Sequence, residues 1–116
     1  MVYEIKEADW KLLRRLHRVA LERFCRRAVE EICAATSDRS GDYHSCFLEV
    51  FALVNERNRG LARTLDDLRR SNATLLLAGM MEERLLSEEE FSQFGPETRE
   101  AVEAILRLRG AASTSR

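Results

Sequence analysis

Residues that break helices are scarce in this chain. Proline occurs once and glycine five times in 116 residues, and no segment alternates apolar with polar residues for more than a few positions. A sheet of short strands joined by tight turns is thereby excluded, and an all-α chain is expected. Cysteine occurs three times, as Cys25, Cys33 and Cys46, with no CxxC pair. An odd number at that spacing argues against a disulfide framework. No run approaches the roughly 18 apolar residues that a spanning helix needs, and the opening Met-Val-Tyr-Glu-Ile-Lys-Glu lacks the apolar region of a secretory signal. The expectation is a protein of the reducing cytoplasm that does not meet a membrane. A surplus of one charge is also missing: 19 basic residues face 20 acidic ones, a formal net charge of −1. No global field therefore draws the chain to nucleic acid.

Motifs that carry chemistry are missing as well. Neither His17 nor His44 has an acid three residues before it, as a di-iron bundle requires, and HExxH, GxSxG and the phosphate loop do not occur. Cys33, His44 and Cys46 gather near one loop, and three such ligands would hold zinc together with a water. The simpler expectation is two buried thiols beside an exposed histidine, since free cysteine packs as a small hydrophobe. No catalytic, cofactor-binding or metal-binding residue is therefore assigned, and a non-enzymatic role is expected.

What the chain does have is helical periodicity. Leu13, Leu16, Ala20, Phe24, Ala28, Ile32 and Ala35 form an apolar stripe at steps of three and four, predicting a first helix over about 7–35. Thr36 to Asp42 reads as a loop short enough to make the next helix an antiparallel neighbour. From Phe47 the residues Phe51, Val54, Asn58, Leu61, Leu65, Leu68, Asn72, Leu75 and Gly79 follow at alternating steps of four and three. That is a heptad seam, with Asn58 and Asn72 at a positions, where asparagine fixes register at a cost in stability. It predicts one long central helix over about 42–84, roughly 63 Å at 1.5 Å per residue. The seam keeps phase across Gly60, so continuity there is favoured over a kink at Asn58-Arg59-Gly60. Further apolar residues flank the seam on both sides, so this helix is touched from two directions. Ser87 and Glu90 form a capping-box pattern for a short helix. Pro96 opens a last helix, and residues 110–116 read as a small, polar tail. The fold class expected is an all-α antiparallel bundle, a single domain over 1–109.

Folding the hairpin about Arg39-Ser40 exhausts the first helix near Arg70 and leaves the end of the long helix bare. A homodimer or another protein partner is therefore expected there, with Leu61, Leu65, Leu68, Arg69, Arg70, Asn72, Leu75, Leu76 and Gly79 at the interface. On this view Asn72→Leu stabilises the chain and loosens its register. Two rival readings remain: a nucleic-acid-binding regulator using the first-helix arginines, and a small metal- or ligand-binding bundle. Residues 9–27 hold seven basic residues against two acids, and residues 82–103 hold eight glutamates against two arginines. These two segments are expected to neutralise one another inside the molecule, so nucleic-acid binding ranks lower.

Overall fold

The computed structural model describes residues 3–37 and 41–114. Helix α1 spans Glu7–Ser37, α2 Tyr43–Leu65, α3 Ala73–Glu82, α4 Glu88–Phe91 and α5 Pro96–Thr114, with one 3₁₀ turn at Arg70–Asn72. No strand occurs among the described residues. The all-α bundle read from the sequence is the observed architecture. Helix α5 continues to Thr114, through residues read from the sequence as tail. Asp38 to Ser40, the middle of the expected loop, lie outside the described residues.

The core occupies one end of the molecule. It joins Leu13, Leu16 and Ala20 of α1 to Leu65, to Leu77, Ala78 and Met80 of α3, and to Phe91, Phe94 and Val102 near the C-terminus. Beyond Ala20, α1 has no buried residue, and α2 has none before Leu65. The rest of the α1–α2 hairpin is an arm that projects from this base. Its projection gives a radius of gyration of 17.1 Å, against about 13 Å for a compact chain of this length.

The long central helix is two helices. Gly60 lies within unbroken α2, as expected, but the chain turns after Leu65. Asp66 is extended and Asp67 has φ 63°, the left-handed region that aspartate tolerates better than most residues. Asn72 holds the turn: its Oδ1 accepts from the Arg69 backbone N–H at 2.8 Å, and its Nδ2 donates to the Asp67 carbonyl at 2.8 Å. Asn72 is thus a satisfied capping residue and not the register device that the seam implied. After the turn, α3 packs against α5, α1 and the end of α2. Leu77, Ala78 and Met80 are fully buried there while Leu75 stays 51% exposed, so the chain itself covers part of the apolar surface that the sequence left bare.

The hairpin register also differs from a fold about Arg39-Ser40. That fold sets Phe24 beside Asn55, whereas the ring of Phe24 lies against Gly60. Cys46 Sγ reaches the Ala35 carbonyl at 3.7 Å, and His17 Nε2 donates to the Leu65 carbonyl at 2.7 Å. The shift at Phe24, from Asn55 to Gly60, exceeds one helical turn. A Cβ at position 60 would stand 3.3 Å from Phe24 Cζ, so this glycine serves close packing between the helices.

Long-range polar contacts lock the C-terminal layer onto α1. Asp9 is buried, and its carboxylate accepts from the Gly95 N–H at 3.1 Å and from Thr98 Oγ1 at 2.5 Å. It caps the N-terminus of α5 from another helix, completed by Tyr3 at 2.9 Å from the same hydroxyl. Helix α3 ends in a Schellman motif, with Leu85 N–H on the Met80 carbonyl at 2.9 Å, Arg84 N–H on that of Met81 at 3.1 Å, and Arg84 at φ 55°. Arg27 donates to the freed carbonyls of Glu83 and Arg84, and Arg23 to that of Leu85 at 2.8 Å. Two cations thus sit where the helix dipole favours them.

Candidate interaction surface

Two sides of the arm differ in chemistry. One side is polar: Arg57 grips Glu31 across the hairpin at 2.9 and 2.6 Å, and Arg27, Arg63 and Glu83 close a cleft of about 370 Å³. The Arg57 guanidinium lowers the pKa of the Glu31 carboxyl, and the charged state of each supports the other. The second side is apolar. Cys25, Val29 and Ile32 of α1 and Val54 and Leu61 of α2 border a shallow groove of about 190 Å³ there.

The periodicity of α2 explains this groove. Helix α1 covers the stripe Cys46, Val50, Leu53, Arg57 and Gly60, all partly buried. The heptad seam lies roughly 110° further round the helix at 100° per residue and is left outside. Phe47 is 66% exposed, Phe51 58% and Val54 44%, and Val29 on the neighbouring helix is 56% exposed. Leu21 and Leu48 are exposed beside them. The sequence therefore pointed to two covers for this helix, and the fold supplies one. The seam meets the core only from Leu61 through Leu65 to Leu68.

The residues expected to form an interface are spread over several environments. Leu65 is 1% exposed, inside the core. Arg70 is engaged with Glu7 at 2.7 Å and with the Ile5 carbonyl at 3.2 Å, and Arg69 pairs with Asp67 at 3.1 Å. Asn72 caps the turn, and Leu68 is half-buried against the core. Leu75, Leu76 and Gly79 line an open cleft of about 430 Å³ with Glu82 and Arg109, which pair with one another. Only Leu61 borders the apolar side of the arm. The heptad spacing found the seam itself, Phe47, Phe51 and Val54, but assigned it to the inside of the bundle.

The basic segment is neutralised in part. Arg23 makes a bidentate pair with Glu90 at 2.7 and 2.9 Å. The pairing with Arg23, joined by the backbone N–H of Ser87, holds the Glu90 carboxyl down at about 2. Lys11, Arg14, Arg15 and Arg18 are exposed and form no ion pair among the described residues. Their helical phase matches that of Leu21, Cys25 and Val29, so the basic stripe continues the apolar face of α1 toward the base.

Cys25 and Cys33 are exposed rather than buried, and Cys46 is half-buried. Their thiols reflect the bare arm, where the expected burial would have needed another layer. Among the described residues no three His, Cys, Asp or Glu side chains gather as a metal site requires, and no helix is long and apolar enough to cross a membrane. No known protein family, curated protein or solved structure matches this chain.

Proposed function

We propose that this protein is a non-enzymatic interaction module, and that the apolar side of the α1–α2 arm is its working surface. The carrying observation is the outward seam: Phe47, Phe51 and Val54 stand more than four-tenths exposed beside Val29, on a face of the helix pair that no further element covers among the described residues. A two-helix hairpin with no further cover is a marginal unit in water, and a contiguous apolar face of this kind marks a contact site. The base, built on Asp9, Thr98 and the Arg23–Glu90 pair, then serves as the anchor that presents the arm. This reading retains the protein–protein role and homodimer expected from the sequence and places the contact on the arm.

Affinity capture from a lysate of the source cell tests it, with the intact chain, Phe51→Glu, Val29→Glu and Leu75→Glu as parallel baits. Capture lost in the two arm variants and kept in Leu75→Glu supports the arm. The reverse pattern would return the contact to the α2–α3 region where the sequence placed it.

A further inference from the structure

We infer that the arm is covered by a second copy of this chain, and that the two arms lie antiparallel. The inference rests on the arm being the working surface. The inner part of the face, from Leu21, Cys25 and Val29 to Phe47, Phe51 and Val54, is apolar; the one charged side chain lining its groove is Arg57, which is already paired with Glu31. A two-fold interface sets one patch against itself, so an apolar patch whose bordering charge is neutralised within its own chain meets its own copy with little like-charge penalty. Its extent is sufficient. Residues 21–37 run about 25 Å and two helices side by side are about 20 Å wide. Two such faces cover on the order of 1,000 Å², the threshold for a specific interface. A seam at steps of four and three is also the pattern that accepts another helix.

The unpaired basic stripe selects the orientation. In a parallel pair, Lys11, Arg14, Arg15 and Arg18 of the two copies would face each other at one level, bringing eight cations together. Opposed like charges exclude a pairing as effectively as good contacts favour one. In an antiparallel pair centred near Ala28 and Val54, the stripes lie at opposite ends. The tip of the second copy, with Asp42 about 17 Å from the centre at the helical rise, then falls across Arg15 and Arg18. The stripe that reads as a nucleic-acid surface is on this account a device against the wrong alignment.

The test has two parts. Sedimentation equilibrium at tens of micromolar should give twice the 13.4 kDa chain mass for the intact protein. Phe51→Glu and Val29→Glu should each return it to one chain mass with the base still folded, since both residues are exposed in the single chain, and the melt of each variant should lose its dependence on protein concentration. A monomeric intact chain overturns the second copy, while the capture experiment still decides whether the arm binds another protein. A dimer that persists in both variants overturns this inference and the arm reading together. Orientation is read from electron–electron distances between spin labels on Ala8→Cys in a background of Cys25→Ala, Cys33→Ser and Cys46→Ala. Antiparallel arms place the two labels about 60 Å apart and parallel arms about 20 Å apart. A single short distance overturns the orientation. Replacing the four stripe residues by glutamine should add a short-distance population, and its absence overturns the selecting role of the stripe.

Discussion

Asp9→Ala should be among the most damaging single substitutions in the base. The carboxylate is 8% exposed and takes hydrogen bonds from the Gly95 N–H and the Thr98 hydroxyl, the latter wholly buried and also facing Tyr3. Alanine removes a helix cap, about 1 kcal/mol. It also leaves two donors beside a carboxylate-sized void, where hydrogen bonds to a charged group contribute about 1.5–3 kcal/mol. Gly95 gives no relief, because a side chain there would have met Asp9 at 3.2 Å and the backbone is built around that contact. We expect a loss of about 2–3 kcal/mol, or a melting temperature lower by roughly 10–15 °C for a domain of this size. Asp9→Asn keeps an acceptor oxygen of the same reach and should lose about half as much. Urea melts followed by circular dichroism measure both. A change under about 0.5 kcal/mol for Asp9→Ala would mean that α5 does not depend on this cap and that the base is held by apolar packing alone.

Other outcomes follow from the same geometry. Asn72→Leu should destabilise by about 1–2 kcal/mol, because it frees the Arg69 N–H and the Asp67 carbonyl in a turn with a left-handed residue; a stabilised variant in thermal melts would restore the register role. Arg84→Gly should stabilise by about 0.5–1 kcal/mol by relieving a non-glycine residue in the left-handed region at a helix end, and a lower melting temperature would show that the Arg84 side chain is needed. The Glu90 carboxyl is held at about 2 against an ordinary 4.5, so its contribution is full above about pH 4.5 and is lost as the pH falls toward 2. The shift corresponds to at most about 3 kcal/mol, discounted to about 1–2 because Arg23 is 42% exposed. Glu90→Gln should flatten the acid limb of stability against pH, and an unchanged limb would place the acid sensitivity elsewhere. Gly60→Ala gains about 1 kcal/mol of helix propensity while Phe24 yields a few tenths of an ångström, for a net gain near 0.5 kcal/mol; a loss above about 1 kcal/mol in urea melts would show the ring to be pinned.

Local signals in the sequence read through well. The stripe from Leu13 to Ala20 is buried as its spacing implies, Ser87 and Glu90 close their capping box in both directions, and Pro96 opens α5. These depend on neighbours within a turn. The break after Leu65 was hidden because Leu61, Leu65, Leu68 and Asn72 keep heptad phase across a turn that is not helical. A phase argument cannot detect a break that preserves spacing. The signal there was chemical: Asp66 and Asp67 place two acids at a helix C-terminus, where the dipole disfavours them, and aspartate accepts the left-handed backbone. Asp9 lies in the first turn of α1, where a carboxylate suits the helix dipole. Its phase with Leu12, Leu13 and Leu16 put a carboxylate on the buried stripe, which requires a partner from elsewhere, but the partner is 86 residues away and invisible to any local pattern. The seam of α2 was legible as apolar, yet which of its two faces α1 would take depended on the hairpin register.

Hydrogen exchange at two protein concentrations tests the central claim most directly, because it asks whether the arm owes its order to another chain. At about 1 and about 100 μM, protection in residues 21–37 and 43–64 should rise with concentration while that of α3 and α5 stays constant, since only contacts made between molecules follow mass action. Arm protection equal to that of the base at both concentrations, with no dependence on dilution, would contradict the account.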